Sequence, residues 1–237
     1  MKILCISDNI TPVVYSNKIK LRFSDIDLVL SAGDVNLEYY EFIVSMLNKP
    51  LLFVFGNHNL KYFPYYKDFR RDFFREVDKT NKNFINRINN GGIYIGGKVR
   101  VIKGLIIAGL GGSKRYNDGL NQYTEIGMFF FMLRIIPKLL LNKIIYGRYL
   151  DILLTHAPPK GINDRKDRCH SGFKIFLWFI ELFKPKYLVH GHIHMFDLNK
   201  ERVSYYLNTK IINAYEYTII DTEEKNERNI FQPNSKR

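Results

Sequence analysis

The chain has 237 residues, of which 46% are apolar and 25% are charged, and its formal net charge is +13. This balance is typical of a globular protein and argues against wholesale disorder. Only two cysteines are present, Cys5 and Cys169, which excludes a disulfide framework and favours a reducing compartment. The first apolar run ends at Asp8, too early for a signal peptide, so we predict a cytoplasmic protein.

Short apolar runs alternate with helix-length segments along most of the chain, and nearly every run ends in a polar cluster. Strands are predicted over residues 2–7, 27–31, 51–55, 105–108, 151–154 and 187–189, with two or three short antiparallel strands over 203–222. Helices are predicted at about 37–47, 65–77, 122–146 and 171–184. This alternation is typical of an α/β fold. We expect one domain over residues 1–225, with a helical insertion at about 122–146 and a flexible tail over 226–237.

The segment 128–145, MFFFMLRIIPKLLLNKII, is apolar enough to resemble a membrane span. It is interrupted by Arg134, Lys138 and Lys143, and Pro137 would kink it or begin a second helix. Because each charge at a bilayer centre costs at least about 2.5–3.5 kcal/mol, we predict no transmembrane span. A buried or partner-facing helical hairpin is the preferred interpretation, and peripheral membrane contact and oligomerisation are the alternatives.

The basic excess lies in the middle of the chain. Residues 61–174 contain 22 Lys or Arg against 9 Asp or Glu, an excess equal to the net charge of the whole protein. A positive field of this kind attracts phosphate-bearing ligands, nucleic acid or an anionic membrane. A solvated basic surface is the alternative. Nucleic acid stays a candidate partner, although nothing in the sequence resembles an RNP or zinc-finger motif.

Side chains able to bind a metal directly follow several of the predicted strands. The functional residues of α/β sheets gather at these carboxyl ends of the strands. These oxygen and imidazole donors are Asp8, Asp34, Asn57, His156, His192 and His194. The mixture suits Mn, Fe or Zn, whereas a calcium site would use oxygens only. Asp34 is short and anionic, so it could bridge two cations about 3.5–4 Å apart. His190 lies on the preceding strand and is expected to be structural.

These motifs carry a family resemblance. Asp8, GDVN (33–36), GNHN (56–59), THAPP (155–159) and GHIH (191–194) resemble, in order and over most of the chain, the calcineurin-like metallophosphoesterase superfamily. The resemblance implies a four-layer αββα sandwich with two mixed β-sheets and two divalent metal ions at one edge.

The resemblance also implies a role for each matching residue. One metal would be held by Asp34, Asn57, His156 and His192, and the other by Asp8, Asp34 and His194. His58 would contact the substrate phosphate and protonate the leaving oxygen, and Asn59 would lie beside the substrate. Asn59 stands where the family often has Asp or Glu, so a charge near the site is removed.

One further position departs from the family pattern. The family has a histidine two residues after the first aspartate, and Ile10 holds that position here. One ligand of the Asp8 metal is therefore missing, so that metal is expected to be weak, to be completed by water or another side chain, or to be absent. The stretches 113–125 and 155–173 resemble a subgroup of bacterial phosphoesterases of unassigned substrate that also lacks this histidine.

The leading hypothesis is a metallophosphoesterase, more specifically a phosphodiesterase, in which a metal-bound hydroxide attacks phosphorus and His58 is the general acid. The extension typical of protein phosphatases is absent, because Leu37 follows GDVN directly. Arg115 and His170 are candidate contacts to the phosphate, with a solvated charge and a structural histidine as the respective alternatives. Two other hypotheses are a catalytically weak or inactive metal-binding scaffold, suggested by Ile10, and a nuclease, suggested by the basic segment.

Overall fold

The computed structural model describes residues 1–67, 91–195 and 201–223. Within these ranges the elements in chain order are β1 (Lys2–Ser7), α1 (Ile19–Arg22), β2 (Leu28–Ser31), α2 (Leu37–Leu47), β3 (Leu51–Phe53), α3 (Phe63–Lys67), β4 (Gly92–Tyr94), β5 (Lys98–Ile102), β6 (Leu105–Leu110), β7 (Ser113–Lys114), β8 (Gln122–Tyr123), α4 (Glu125–Leu133), α5 (Ile136–Tyr146), β9 (Ile152–Thr155), α6 (Lys174–Phe183), β10 (Tyr187–His190), β11 (Val203–Tyr206), β12 (Thr209–Asn213) and β13 (Glu216–Asp221).

Two large mixed sheets form the centre of the fold. The first has the order β13-β1-β2-β3-β4, in which β1 to β4 are parallel and β13 is antiparallel to β1. The second has the order β11-β12-β10-β9-β6-β5, with antiparallel strands β11 and β5 at its edges and parallel strands between them. Parallel strands bring their carboxyl ends to one edge of a sheet, where ligands bind in open α/β folds.

The two sheets face each other across an apolar layer. Because side chains alternate along a strand, Ile3 and Cys5 of β1 pack between the sheets, whereas Leu4 and Ile6 pack under the helices. Val189 of β10 meets the first sheet from the other side of this layer. All five side chains are completely buried, and burial of each is worth about 1.5–3 kcal/mol relative to exposure. A shift of one residue in β1 would exchange its two faces, so burial fixes the register.

Helices cover the outer face of each sheet and complete the predicted αββα sandwich. Residues of α2, including Tyr40 and Ile43, pack against the outer face of the first sheet. The second sheet is covered by α4, α5 and α6, whose buried residues include Met132, Leu139 and Phe176. None of the helices in the described parts of the chain is long and apolar enough to cross a membrane.

The predicted helix over 122–146 is two helices. The first, α4, begins after Thr124, whose hydroxyl accepts a hydrogen bond from the Gly127 N–H at 3.0 Å. It ends at Leu133, and α5 starts at Ile136 with Pro137 in its first turn, where the missing N–H of proline costs no helical bond. Pro137 therefore begins a second helix, as one of its two predicted effects, and does not kink a single helix.

The C-terminal strands exist, but they do not form one antiparallel unit. The hairpin β11–β12 belongs to the second sheet, whereas β13 crosses to the first sheet and pairs with β1. At the crossing, the Ala214 N–H donates to the His190 carbonyl at 2.7 Å, and the Tyr215 N–H donates to Asn213 Oδ1 at 2.9 Å. This segment thus ties the two sheets together.

Several other expectations differ from the structure or lie beyond what it describes. The short strands β4, β5, β7 and β8 were not predicted, because their apolar runs are brief or broken by charge and glycine. The predicted helix at 65–77 is described as far as Lys67. Its remainder and the predicted tail over 226–237 lie outside the described residues.

Asp151 is a buried carboxylate that joins three elements, and its removal should destabilise the fold. It accepts a hydrogen bond from the Ile106 N–H at 2.9 Å and pairs with the Arg148 guanidinium at 2.9 Å. We expect Asp151→Ala to lower the free energy of unfolding by about 2–3 kcal/mol, because a buried N–H loses its partner. Urea denaturation measures this. Asp25→Ala, which removes the exposed ion pair with Lys2, is the control and should cost far less stability; equal losses would contradict the prediction.

Candidate active site

A buried histidine joins the carboxyl ends of the two sheets. His156 follows β9 in the second sheet and is completely buried. Its Nδ1 lies 2.8 Å from the carbonyl oxygen of Ala32, which follows β2 in the first sheet. A carbonyl oxygen only accepts hydrogen bonds, so Nδ1 carries the proton, and the lone pair of the neutral ring is on Nε2. Nε2 lies 3.1 Å from Asn57 Oδ1 and 3.2 Å from Asp34 Oδ2.

Asn57 faces this ring with its oxygen. Its Nδ2 donates to the Tyr116 hydroxyl at 3.2 Å, which leaves Oδ1 turned toward His156. Three acceptor atoms, one each from Asp34, Asn57 and His156, therefore converge in a buried place. Such a group is satisfied by a proton on the ring or by a cation between the three atoms. The donor set of two oxygens and an imidazole nitrogen fits a divalent first-row metal.

The electrostatics of this group agree with its geometry. Burial alone would lower the pKa of His156, but the neighbouring Asp34 carboxylate outweighs it and raises that pKa to about 9. Burial alone would raise the pKa of Asp34, but the charge of His156 and the hydrogen bonds to this carboxylate hold it below its usual range. Asp34 also accepts a hydrogen bond from the His58 N–H at 2.8 Å. The carboxylate is thus ionised and fixed in orientation.

His192 completes the first group of candidate ligands. Its Nε2 lies 2.7 Å from the Cys169 carbonyl oxygen, so Nε2 carries the proton and Nδ1 keeps its lone pair. Burial, followed by the charge of His156, lowers the pKa of His192 to about 3, which keeps the ring neutral. Asp34, His156 and His192 each offer a ligand atom, and these atoms lie within 4.8 Å of one another. With Asn57, they form the four-residue set implied by the family resemblance.

Asp8 and His194 lie at the edge of this group. The Asp8 carboxylate accepts hydrogen bonds from the Ser7 hydroxyl and, at 2.9 and 3.0 Å, from the His192 N–H. Burial raises the pKa of Asp8, and the nearby Asp34 charge adds to this. His194 is half-exposed, with Nε2 3.8 Å from Asp8 Oδ1. Ile10 packs against the apolar cluster on the outer face of the first sheet.

The close approach of the ligands depends on two glycines. A Cβ at Gly56 would press on Asp34 Oδ1 and lie 2.5 Å from His156 Cε1. A Cβ at Gly191 would press on the Ser7 hydroxyl and lie 2.5 Å from Asp8 Oδ2. Real Cβ contacts of this length do not occur, so both positions require glycine.

His58 and Asn59 follow Asn57 and are both exposed. The His58 backbone N–H is held by the Asp34 carboxylate. The Asn59 Nδ2 donates to the Asp34 carbonyl at 2.9 Å, so this carboxamide clamps the loop in addition to any contact with substrate. An ionised aspartate at position 59 could not donate this hydrogen bond. The bond therefore explains why asparagine is suited to this position.

The two proposed phosphate contacts, Arg115 and His170, lie in different surroundings. The His170 ring is 5.3 Å from the His192 ring, and its Nδ1 is 2.8 Å from Asp167 Oδ1. His170 therefore borders the site. Arg115 is exposed and next to Tyr116 in sequence, and its backbone N–H pairs with the Tyr123 carbonyl at 2.9 Å. The structure places Arg115 on the loop beside the site without a described contact to the ligand group.

A second, more exposed group of possible ligand atoms lies beside His192. Asp167, Cys169 and His170 each contribute one atom, and these lie within 4.8 Å of one another. Sequence reasoning placed Cys169 outside the motifs and did not find this group. It is built by hydrogen bonds local to one turn, from Cys169 Sγ to Asp167 Oδ1 at 3.0 Å and from the His170 N–H to the same oxygen at 3.0 Å.

Two supporting residues were also missed or undervalued. Buried Asn121 donates through Nδ2 to the Phe55 and Gly56 carbonyls at 3.0 and 2.6 Å, and so braces the loop that carries Asn57. Tyr116, whose hydroxyl accepts the hydrogen bond from Asn57 Nδ2, orients Asn57. His190 is structural, as expected, since it is buried and its Nδ1–H donates to the Gly191 carbonyl at 2.9 Å.

Tyr116→Phe tests whether the hydroxyl orients Asn57. We expect Mn²⁺ affinity to fall about 10–100-fold, as for other partners that orient a metal ligand, because the Asn57 carboxamide is then free to rotate. Titration calorimetry of chelator-stripped protein measures the affinity. Tyr146→Phe removes a hydroxyl from an exposed residue and should leave the affinity unchanged; an equal effect in both variants would contradict the role of Tyr116.

Comparisons with known proteins bear on the fold and the family of this chain. No curated protein sequence is significantly similar to the chain. One solved crystal structure is similar with a TM-score of 0.61 at 14% identity, covering 93% of this chain and 94% of the other. The crystal structure of TT1561 of Thermus thermophilus is similar with a TM-score of 0.53 at 12% identity, covering 91% and 89%.

These two likenesses bear on the fold alone. The alignment with the structure of a novel archaeal phosphodiesterase covers 95% of this chain and 96% of the other at 15% identity. Its TM-score of 0.42 is too low to support a conclusion about this chain. Residues 1–196 match the family model for calcineurin-like phosphoesterases, which covers most of the chain and the whole of the ligand group. The chain belongs to the calcineurin-like phosphoesterase family.

Proposed function

We propose that this protein is a metal-dependent phosphodiesterase. Family membership supports hydrolysis of a phosphoester in general, and one observation carries the proposal for this chain. Three acceptor atoms of Asp34, Asn57 and His156 converge in a buried place, with the His156 tautomer set by the Ala32 carbonyl. Without a metal, His156 must itself be protonated to bridge the Asp34 and Asn57 oxygens. A cation between the three atoms would satisfy all of them with the ring neutral, so the arrangement supports a metal centre.

Asp34, Asn57, His156 and His192 would hold the first metal. A divalent metal bound there lowers the pKa of a coordinated water and neutralises charge that develops on the phosphoryl oxygens. The residues themselves supply the rigidity of the centre. Each ligand has a second contact, from the His58 N–H, the Tyr116 hydroxyl, the Ala32 carbonyl or the Cys169 carbonyl respectively, and such contacts orient metal ligands.

A second metal would use Asp8, Asp34 and His194, and we propose that it binds more weakly. Ile10 leaves this group one ligand short. Asp8 already accepts bonds from Ser7 and the His192 N–H, and its nearest His194 nitrogen is 3.8 Å away. Water or a substrate oxygen would complete the coordination. Mn, Fe and Zn all suit these donors.

His58 is the proposed general acid. The residue is exposed and its backbone N–H donates to the Asp34 carboxylate, which supports a role for its imidazole at a bound ester. His170 and Arg115 are the proposed phosphate contacts. The preference for diesters is supported by the loop after β2, which ends at the Asn36 cap of α2 and leaves no room for the extension typical of protein phosphatases. A cytoplasmic setting is supported by two free cysteines.

Metal-restored hydrolysis tests this proposal. Chelator-stripped protein should hydrolyse bis-p-nitrophenyl phosphate faster than the p-nitrophenyl monoester, and only after Mn²⁺, Fe²⁺ or Zn²⁺ is added. Asp34→Asn and His192→Ala should each lower this turnover at least about 100-fold, because the first removes the negative charge of a metal ligand and the second removes a ligand. Metal analysis of the loaded protein should find one tightly held equivalent and a second that is lost on dialysis.

Asp118→Asn is the matched control for these variants, since it neutralises an exposed carboxylate outside the ligand group. It should keep full turnover. Tight metal binding without turnover on either ester, in protein shown to be folded, would favour the metal-binding scaffold. Faster hydrolysis of the monoester would contradict the proposed preference for diesters but not the proposed metal centre.

The role of His58 can be separated from that of the metal by the leaving group. We expect His58→Ala to slow hydrolysis of a diester with an alkyl alcohol leaving group about 10²–10⁴-fold, because that oxygen must be protonated as it departs. The loss should be much smaller for a p-nitrophenolate leaving group, and added imidazole should restore part of the rate. Equal losses on both substrates, or loss of bound metal, would show that His58 is not the acid.

A further inference from the structure

The hairpin of α4 and α5 and the adjoining helix α6 expose an unusual amount of apolar surface. We define the hairpin face by Ile126, Phe130, Leu140, Ile144, Trp178 and Leu182. Its most exposed members are Ile144 at 82%, Ile126 at 69% and Phe130 at 61%. Single exposed apolar residues are ordinary, but a contiguous group of large ones marks an interaction surface.

The helices that carry the hairpin face pack side by side, with α4 in contact with both α5 and α6. Each helix contributes two of them four residues apart, hence one turn apart on one side of the helix. The Phe129 ring lies 5.7 Å from Phe130 and 6.5 Å from Trp178, which joins α4 to α6. Trp178 is 6.3 Å from Phe183, and Phe183 is 5.3 Å from Tyr149 just after α5. The opposite sides of the same helices are buried on the second sheet.

The hairpin of α4 and α5 has basic charge, and the carboxylate of α6, Glu181, accepts a hydrogen bond from the Tyr206 hydroxyl at 2.5 Å. Residues 126–150 contain four basic residues, Arg134, Lys138, Lys143 and Arg148, and no acidic one. Arg148 is paired with buried Asp151. The nearest carboxylate of the hairpin, Glu125, is already used by the Lys174 N–H at 3.0 Å and the Lys114 ammonium at 3.4 Å. The other three cations are exposed among the apolar side chains.

We propose that the hairpin face docks on an anionic lipid bilayer. Helices that carry large apolar residues beside lysine and arginine bind in the plane of a membrane surface, where the cations meet acidic headgroups. Both hairpin helices are too short to span a bilayer, with 9 and 11 residues. A second copy of this chain fits less well, because a symmetric pairing would bring the cations of the two copies together.

Flotation with lipid vesicles tests the proposal on the full chain. The protein should float with vesicles of phosphatidylcholine and phosphatidylglycerol, should float far less with phosphatidylcholine alone, and should be released by salt. Ile144→Glu should weaken binding about tenfold or more, because a large apolar contact is replaced by a charge that repels the headgroups. Lys138→Gln should weaken it about fivefold, as expected for one cation at an anionic surface.

Leu21→Glu is the matched control, because Leu21 is 81% exposed and lies on α1, outside the hairpin face. It should float like the unaltered protein. All variants should keep their far-UV circular dichroism and their hydrolysis of a water-soluble ester. Equal binding to neutral vesicles, no effect of Ile144→Glu, or no vesicle binding would overturn the proposal. A dimer in light scattering that Ile144→Glu dissociates, without vesicle binding, would assign the face to a second copy instead.

Discussion

The candidate site depends on the hydrogen bond between His156 Nδ1 and the Ala32 carbonyl. This bond links the carboxyl ends of the two sheets and decides which ring nitrogen keeps its lone pair. In the other neutral tautomer, the Nδ1 lone pair would face the Ala32 carbonyl, and the proton would lie on Nε2, toward Asp34 and Asn57. The stacked sheets therefore do more than present residues at one edge. They fix a tautomer, and the tautomer turns three polar side chains into a ligand group.

Holding this group requires unfavourable backbone. Asp8, Asp34, Asn59 and His192 all have positive φ, between 53° and 67°, a region that non-glycine residues rarely adopt and that costs of order 1–3 kcal/mol each. The strain falls at the ends of strands whose apolar residues are buried on both faces, so rigid sheets offset it. The burial of Asp8 and Asp34 adds to this cost, which a bound cation would reduce.

The sequence predicts the strands that carry the ligands, because a buried strand leaves a clear apolar run and its polar end is easily seen. It does not predict the supports. Nothing in the pattern distinguishes Tyr116 or Asn121 from other polar loop residues, since their partners at Asn57 and Phe55 lie more than 50 positions away. The crossing of β13 to the first sheet is missed for a similar reason: Asn213 and Ala214 signal a break between strands, but the pairing of the next strand with β1 is set by tertiary packing. Local pattern therefore locates the chemistry, whereas long-range hydrogen bonds complete it.

The hairpin of α4 and α5 has a buried side that contacts residues supporting the candidate site and an exposed side that does not. Its buried side packs Phe131 against Tyr123, with ring centroids 5.2 Å apart, and the Tyr123 hydroxyl donates to Asn121 at 3.0 Å. Asn121 in turn braces the loop of Asn57, so the base of α4 and the ligand group share one contiguous set of contacts. The exposed side, at Ile144 on α5, takes no part in them. A change at Phe131 would disturb both the fold and the site, whereas a change at Ile144 alters the surface alone. The two proposals for this protein, hydrolysis at the sheet edge and docking through the hairpin face, can therefore fail or succeed independently.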